Sequence, residues 1–251
     1  MKFQSGNHEV FVSVPDQTRL KEEISNRLSN GRGFSLATLN LDHLVKIRQD
    51  AAFARAYAAQ DLIVADGRPI VWLSRLAGDP VALMPGSDLV RPLCELAARN
   101  GWPVALLGST ENTLRAASTH LQSDIPDLKI AATISPSMQF DPDGTEADAF
   151  FGQLNQSGAR LCFLALGAPK QERLAARGVK LAPAIGFASI GAGLDFLGGR
   201  QRRAPRWIRA LALEWLWRTL SNPSRMIPRY AKCFAILPGQ AVNALKLRAK
   251  R

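Results

Sequence analysis

Residues 160–166 read RLCFLAL, and the chain continues Gly167-Ala168-Pro169-Lys170-Gln171-Glu172. Six apolar residues in a row, closed by a glycine, describe a strand covered on both faces. A helix opens near Pro169, because the fixed φ of proline suits a first helical turn. A buried strand, a glycine turn and a helix make half of a βαβ unit, and the rest of the chain supplies its repeats. Working outward, residues 34–38 (FSLAT), 62–65 (LIVA), 103–107 (PVALL), 129–134 and 184–190 are further short apolar runs. Helical patterns lie between them. One follows Asp42, which can cap it, with Leu44, Ile47 and Phe53 on its apolar side. Others cover residues 70–76 and 113–121. Strands alternating with helices predict an α/β fold: a Rossmann-like, mostly parallel sheet with helices on both faces.

Beyond Gly199 the strand signals stop. Amphipathic helices are expected over residues 205–220, 223–237 and 240–250, punctuated by Pro205, Pro223 and Pro238. The charge changes at the same place. Residues 200–251 carry 13 Lys or Arg against one acid, Glu214, whereas the first 199 residues carry 19 bases and 20 acids. The expected organisation is a near-neutral body, 1–199, and a basic helical appendage, 200–251. Such asymmetry points to a polyanionic partner.

Other bulk features narrow the class. Cys94, Cys162 and Cys233 are far apart and have neither disulfide nor zinc spacing, so they read as packing residues. Residues 1–17 lack the layout of a signal peptide, and no stretch reaches the roughly 18 apolar residues of a membrane span. The expectation is a protein kept in the cytoplasm. His8, His43 and His120 have no matching partners for a metal site or a Ser-His triad.

In an open parallel sheet, ligands sit beyond the carboxyl ends of the strands. The candidate residues follow from that rule. Thr38, Asn40 and Asp42 end the first strand, and Asp66-Gly67 follows the second. Gly108-Ser109-Thr110 can cradle an anion at a helix start. Gly167 to Glu172 and Gly191-Ala192-Gly193-Leu194-Asp195 complete the edge. Asp141-Pro142-Asp143-Gly144 has the D-x-D spacing of metal-dependent transferases, but it reads better as a β-turn. The glycines of residues 186–193 do not form a dinucleotide fingerprint. The tail mixes Arg with Trp207, Trp215 and Trp217, a pairing suited to a lipid interface, and Ile227, Tyr230, Phe234 and Leu237 form one stripe. Nucleic-acid binding is the alternative that the basic tail supports. The close tryptophans and apolar stripes weigh against it, and no recognised nucleic-acid motif is present.

The ordered set Thr38-Leu39-Asn40, Asp66-Gly67, Gly86-Ser87-Asp88, Leu106-Leu107-Gly108, Gly167 to Glu172, Gly191 to Phe196, Arg203-Ala204-Pro205, Leu213-Glu214-Trp215, Arg218, Pro223 and Arg225 resembles the WecG/TagA/CpsF glycosyltransferase family. The resemblance implies an inverting, metal-independent transfer from a UDP-sugar, hexose or N-acetylhexosamine, to a polyprenyl-diphosphate-linked acceptor. The products would feed exopolysaccharide, capsule or teichoic-acid synthesis. It implies no cofactor, a basic appendage meeting the anionic inner face of the plasma membrane, and room for a homo-oligomer. The family's base falls on Asp66. Its binding residues fall on Thr38, Asn40, Gly67, Asp88, Gly108, Gly167, Pro169, Lys170, Gln171, Glu172, Gly191 and Asp195, and on the appendage residues Arg203, Arg218 and Arg225.

Overall fold

A computed structural model describes residues 1–201, 204, 205, 208 and 213–250. Six strands form one sheet: β3 (Phe34–Leu39), β4 (Leu62–Ala65), β5 (Val104–Gly108), β6 (Ile130–Ile134), β7 (Leu161–Ala165) and β8 (Gly186–Ser189). Their order across the sheet is β4-β3-β8-β7-β5-β6, and every pairing is parallel. The predicted α/β class holds. Before the sheet comes an antiparallel hairpin of β1 (Lys2–Ser5) and β2 (His8–Phe11).

Alternate residues of a strand face opposite sides, and each side has its own helices. Leu36, Val64, Val104, Leu106 and Phe163 meet α1 (Gln17–Ser29), α5 (Gly86–Arg99), α6 (Glu111–Asp124) and α9 (Gly193–Leu197). On the other side Ala37, Leu39, Ile63 and Ala65 meet α2 (Leu41–Gln49), α3 (Ala51–Ala58) and α4 (Arg68–Leu76). Further along that side, Ala105, Leu107, Leu164 and Phe187 meet α7 (Thr145–Ser157) and α8 (Lys170–Leu181). Two-sided burial is why the strands read as continuous apolar runs.

Two helix expectations change. The helix after the first strand is capped by Asn40, whose side-chain oxygen accepts from the His43 amide at 3.0 Å; Asp42 sits inside the first turn. Asp50 then splits the segment by capping α3, accepting from the Ala52 and Phe53 amides. In the tail, α10 (Glu214–Ser221) is followed by one helix, α11 (Pro223–Ala249), which continues through Pro228 and Pro238. Proline removes one ladder bond, but packing on both sides of Pro238 holds the axis. Cys233 and Ala244 enter the core shared with α2 and α4, and Gln240 donates to the Gln4 carbonyl at 2.6 Å. All three cysteines are free and buried, as packing residues should be. Among the described residues no helix is long and apolar enough to cross a membrane.

Candidate active site

Parallel pairing puts the last residues of all six strands on one edge, so the turns after them gather there. Asp66 follows β4. Its amide donates to the Leu39 carbonyl at 2.7 Å, which ties it to the end of β3. Gly67 then turns the chain at φ +90°, a conformation that side chains rarely adopt, and α4 starts at once. Asp66 is half-buried, and its carboxyl accepts a long hydrogen bond, 3.5 Å, from the Asn40 amide nitrogen. Asn40 thus uses its oxygen to cap α2 and its nitrogen to hold the acid.

Burial raises the Asp66 pKa to about 6. Arg218 on α10, the Asn40 hydrogen bond and Arg229 on α11 pull it down, and Glu214 pushes it up. The appendage helices therefore lie within electrostatic reach of this acid. Arg218 pairs with Glu214 at 2.6 Å. Arg229 pairs with Asp42 at 3.1 Å, and the same carboxylate oxygen lies 3.0 Å from Lys46. Neither contact has hydrogen-bond alignment at that oxygen. Lys46 also donates to the Ala168 carbonyl at 3.1 Å, joining α2, α11 and the β7–α8 turn.

Beneath this cluster lies a sealed polar layer. His43 is buried against Phe53 and Tyr57, and its Nδ1 is 3.2 Å from the Tyr57 hydroxyl. Burial lowers its pKa to about 3, so the ring is neutral. Glu172 is wholly buried. Its Oε1 accepts from Gln171 at 2.8 Å, while Oε2 has no hydrogen-bond partner. Burial raises this carboxyl to about 7. Gln171 faces the other way too, its oxygen accepting from the Gly191 amide at 3.2 Å. It thereby couples the start of α8 to the turn after β8.

The remaining predicted residues divide. Thr38 is buried in β3. Gly108 ends β5 at φ +118°, where a Cβ would come within 2.4 Å of the Ala165 carbonyl oxygen, so only glycine lets the two strand ends approach. Gly167 and the cis Ala168–Pro169 bond lead into α8. Lys170 turns outward to the Phe140 carbonyl at 2.7 Å. Asp195 is committed to its neighbours, accepting from Ser109 at 2.5 Å and from Gln201 at 2.9 Å. Asp88 is exposed in the first turn of α5, and Arg225 is exposed in the first turn of α11. Arg203 lies outside the described residues. Asp141-Pro142-Asp143-Gly144 is the turn predicted, with Asp141 accepting from the Asp143 amide and Asp143 paired with Arg173.

Sequence reasoning missed Arg229, Lys46, Tyr57 and the buried role of His43. The four-residue spacing of Asp42 and Lys46 on α2 was a usable signal. Arg229 had none beyond its place in a basic tail.

The arrangement is a parallel α/β sheet edge at which Asp66 lies within electrostatic reach of Arg218 and Arg229 from the last two helices. The chain belongs to the Glycosyl transferase WecG/TagA/CpsF family, whose profile matches residues 8–251. It is a glycosyltransferase. It is 25% identical over 205 residues, 79% of this chain and 78% of the relative, to the N-acetylglucosaminyldiphosphoundecaprenol N-acetyl-beta-D-mannosaminyltransferase of Bacillus subtilis (strain 168).

Proposed function

We propose that this enzyme moves an N-acetylhexosamine-type sugar from a UDP-sugar onto a polyprenyl-diphosphate-linked sugar, with inversion and without a metal ion. The observation that carries the reading is Asp66: a half-buried residue at the sheet edge whose carboxyl is raised to about 6, with Arg218 and Arg229 within electrostatic reach. A base must take the acceptor hydroxyl's proton as that oxygen attacks the anomeric carbon, and a pKa near the working pH suits the task. As the glycosidic bond to the diphosphate breaks, negative charge grows on the departing UDP. Arginines in the cover can meet it with paired N–H donors. The Gly108-Ser109-Thr110 turn and the opening of α8 offer backbone amides. The Asp141 and Asp143 carboxylates are engaged in their own turn and with Arg173, so they are poor candidates to hold a cation at the donor.

We assign residues 1–199 the chemistry and residues 200–251 the cover. Leu220 (74% exposed), Ile227 (57%) and Phe234 (52%) stand out from α10 and α11 beside Arg225. Each basic residue near an anionic leaflet contributes about 1 kcal/mol, which would hold the enzyme at a membrane where its acceptor lies. The relative's name, with its sugar-diphospholipid acceptor and mannosaminyl transfer, supports the same reading for this chain. The test is a panel of UDP-sugars offered with a synthetic polyprenyl-diphosphate-sugar, read as UDP release with and without EDTA. Release with an N-acetylhexosamine donor that survives EDTA is expected. Loss in EDTA restored by Mn²⁺ would sink the metal-free mechanism, and no release with any donor would sink the assignment.

A further inference from the structure

The turn that presents Asp66 runs straight into α4. Arg68, Trp72 and Arg75 stand at i, i+4 and i+7 of that helix and share one face. Opposite them the chain passes beside the end of β4, with Leu83 bridged to Ala65 and the Met84 amide donating to the Ala65 carbonyl at 2.8 Å. Between the two lies a cleft of about 120 Å³. Val71 and Val81 are buried at its floor, and Trp72 (53% exposed) and Leu83 (39% exposed) are its walls. Arg68 and Arg75 complete the lining. The opposite side of α4 already has its core partners, since Ile70 and Leu73 are buried and α11 packs on the helix. The outward Trp72 is therefore not an unmet packing demand.

An exposed indole and an exposed leucine facing one small cleft mark a contact site rather than ordinary surface. Two guanidinium groups beside them select an anion, and do so best for phosphate oxygens. One ligand chemistry satisfies both halves: a branched hydrocarbon joined to a diphosphate. We propose that this cleft binds the diphosphate and first isoprene units of the lipid-linked acceptor, with Arg68 and Arg75 on the phosphates and Trp72 and Leu83 on the hydrocarbon. The proposal rests on the acceptor reading given above. Its place follows from the chain, because Arg68 is two residues past the acid that would activate the acceptor sugar.

Farnesyl diphosphate, which carries no sugar, is the probe, with affinity measured by titration calorimetry on the full chain. Wild-type protein should bind it at least about tenfold tighter than inorganic pyrophosphate. Trp72→Ala and Arg75→Gln should each weaken it about tenfold. The remote Arg115→Gln should leave it unchanged. Thermal melts establish that the variants are folded, which the exposure of Trp72 favours. Equal affinity for farnesyl diphosphate and pyrophosphate would overturn the proposal, as would unchanged binding in both cleft variants. So would a cleft that phosphatidylglycerol vesicles occupy as well as the probe, since the contact would then be with bulk lipid. The outcome is separable from the transfer assay. Binding without transfer sinks the proposed function alone, and transfer without cleft-dependent binding sinks the cleft alone.

Discussion

The two halves of the sheet edge use their polar side chains differently. Beyond β3 and β4, Asp42 pairs with Arg229 of the last helix, and Asp66 feels both Arg229 and Arg218. Beyond β5, β6 and β7 the polar groups satisfy one another: Ser109 with Asp195, Lys170 with the Phe140 carbonyl, Arg173 with Asp143. The first half holds a charge poised to change; the second presents shaped backbone. The proposed proton transfer would fall to the former, and the proposed phosphate cradle to the latter.

The most severe way to break this contrast is Asp66→Asn. Turnover should fall by about 10²–10⁴ with binding of the UDP-sugar kept, as read from UDP release and donor titration. In the wild type, activity should climb with pH through about 6, because the carboxyl must be ionised to act as base.

Glu172 sharpens the comparison from below. Its folded pKa, about 7, is raised above the ordinary glutamate value of 4.5, so the fold favours the protonated form. That contribution is full below the unfolded value and is lost as pH rises through about 7. A shift of this size corresponds to something on the order of 3 kcal/mol. Urea melts between pH 5 and 8 should show wild-type stability falling relative to Glu172→Gln; parallel curves would place the carboxyl's charge elsewhere.

Asp42→Asn removes the anion shared by Lys46 and Arg229. With side chains only partly buried, the expected loss is about 2 kcal/mol, together with weaker transfer as the cover loosens. Urea midpoints and UDP release measure the two effects. On the self-satisfied half, Asp195→Asn keeps its shape and most of its hydrogen bonds. It should cost less than about 1 kcal/mol and leave turnover nearly intact.

The layered fold was legible because two-sided burial writes itself into runs such as residues 161–165, and the strand-end rule then located Asn40, Asp66, Gly108, Gly167 and Gly191. What escaped had tertiary causes. The hairpin of β1 and β2 is short and mixed in polarity, and its Phe3 and Val10 are buried only because α11 and neighbouring helices close over that side. Asn40 and Asp42 are both good helix caps; Asn40 serves, and Asp42 is left to pair with Lys46 and with Arg229, 187 positions further along the chain. Pro238 signals a stop that packing around Cys233, Gln240 and Ala244 overrules. At the site, the acid could be read, but the cations that tune it come from a segment whose docking no local pattern records.

The bond from Gln240 to Gln4 has a developmental consequence. The helix that brings Arg229 to the edge comes after the sheet in the chain, yet it clasps a hairpin that comes before the sheet. A growing polypeptide would thus own its acid long before its countercharges, which join it only when α11 docks.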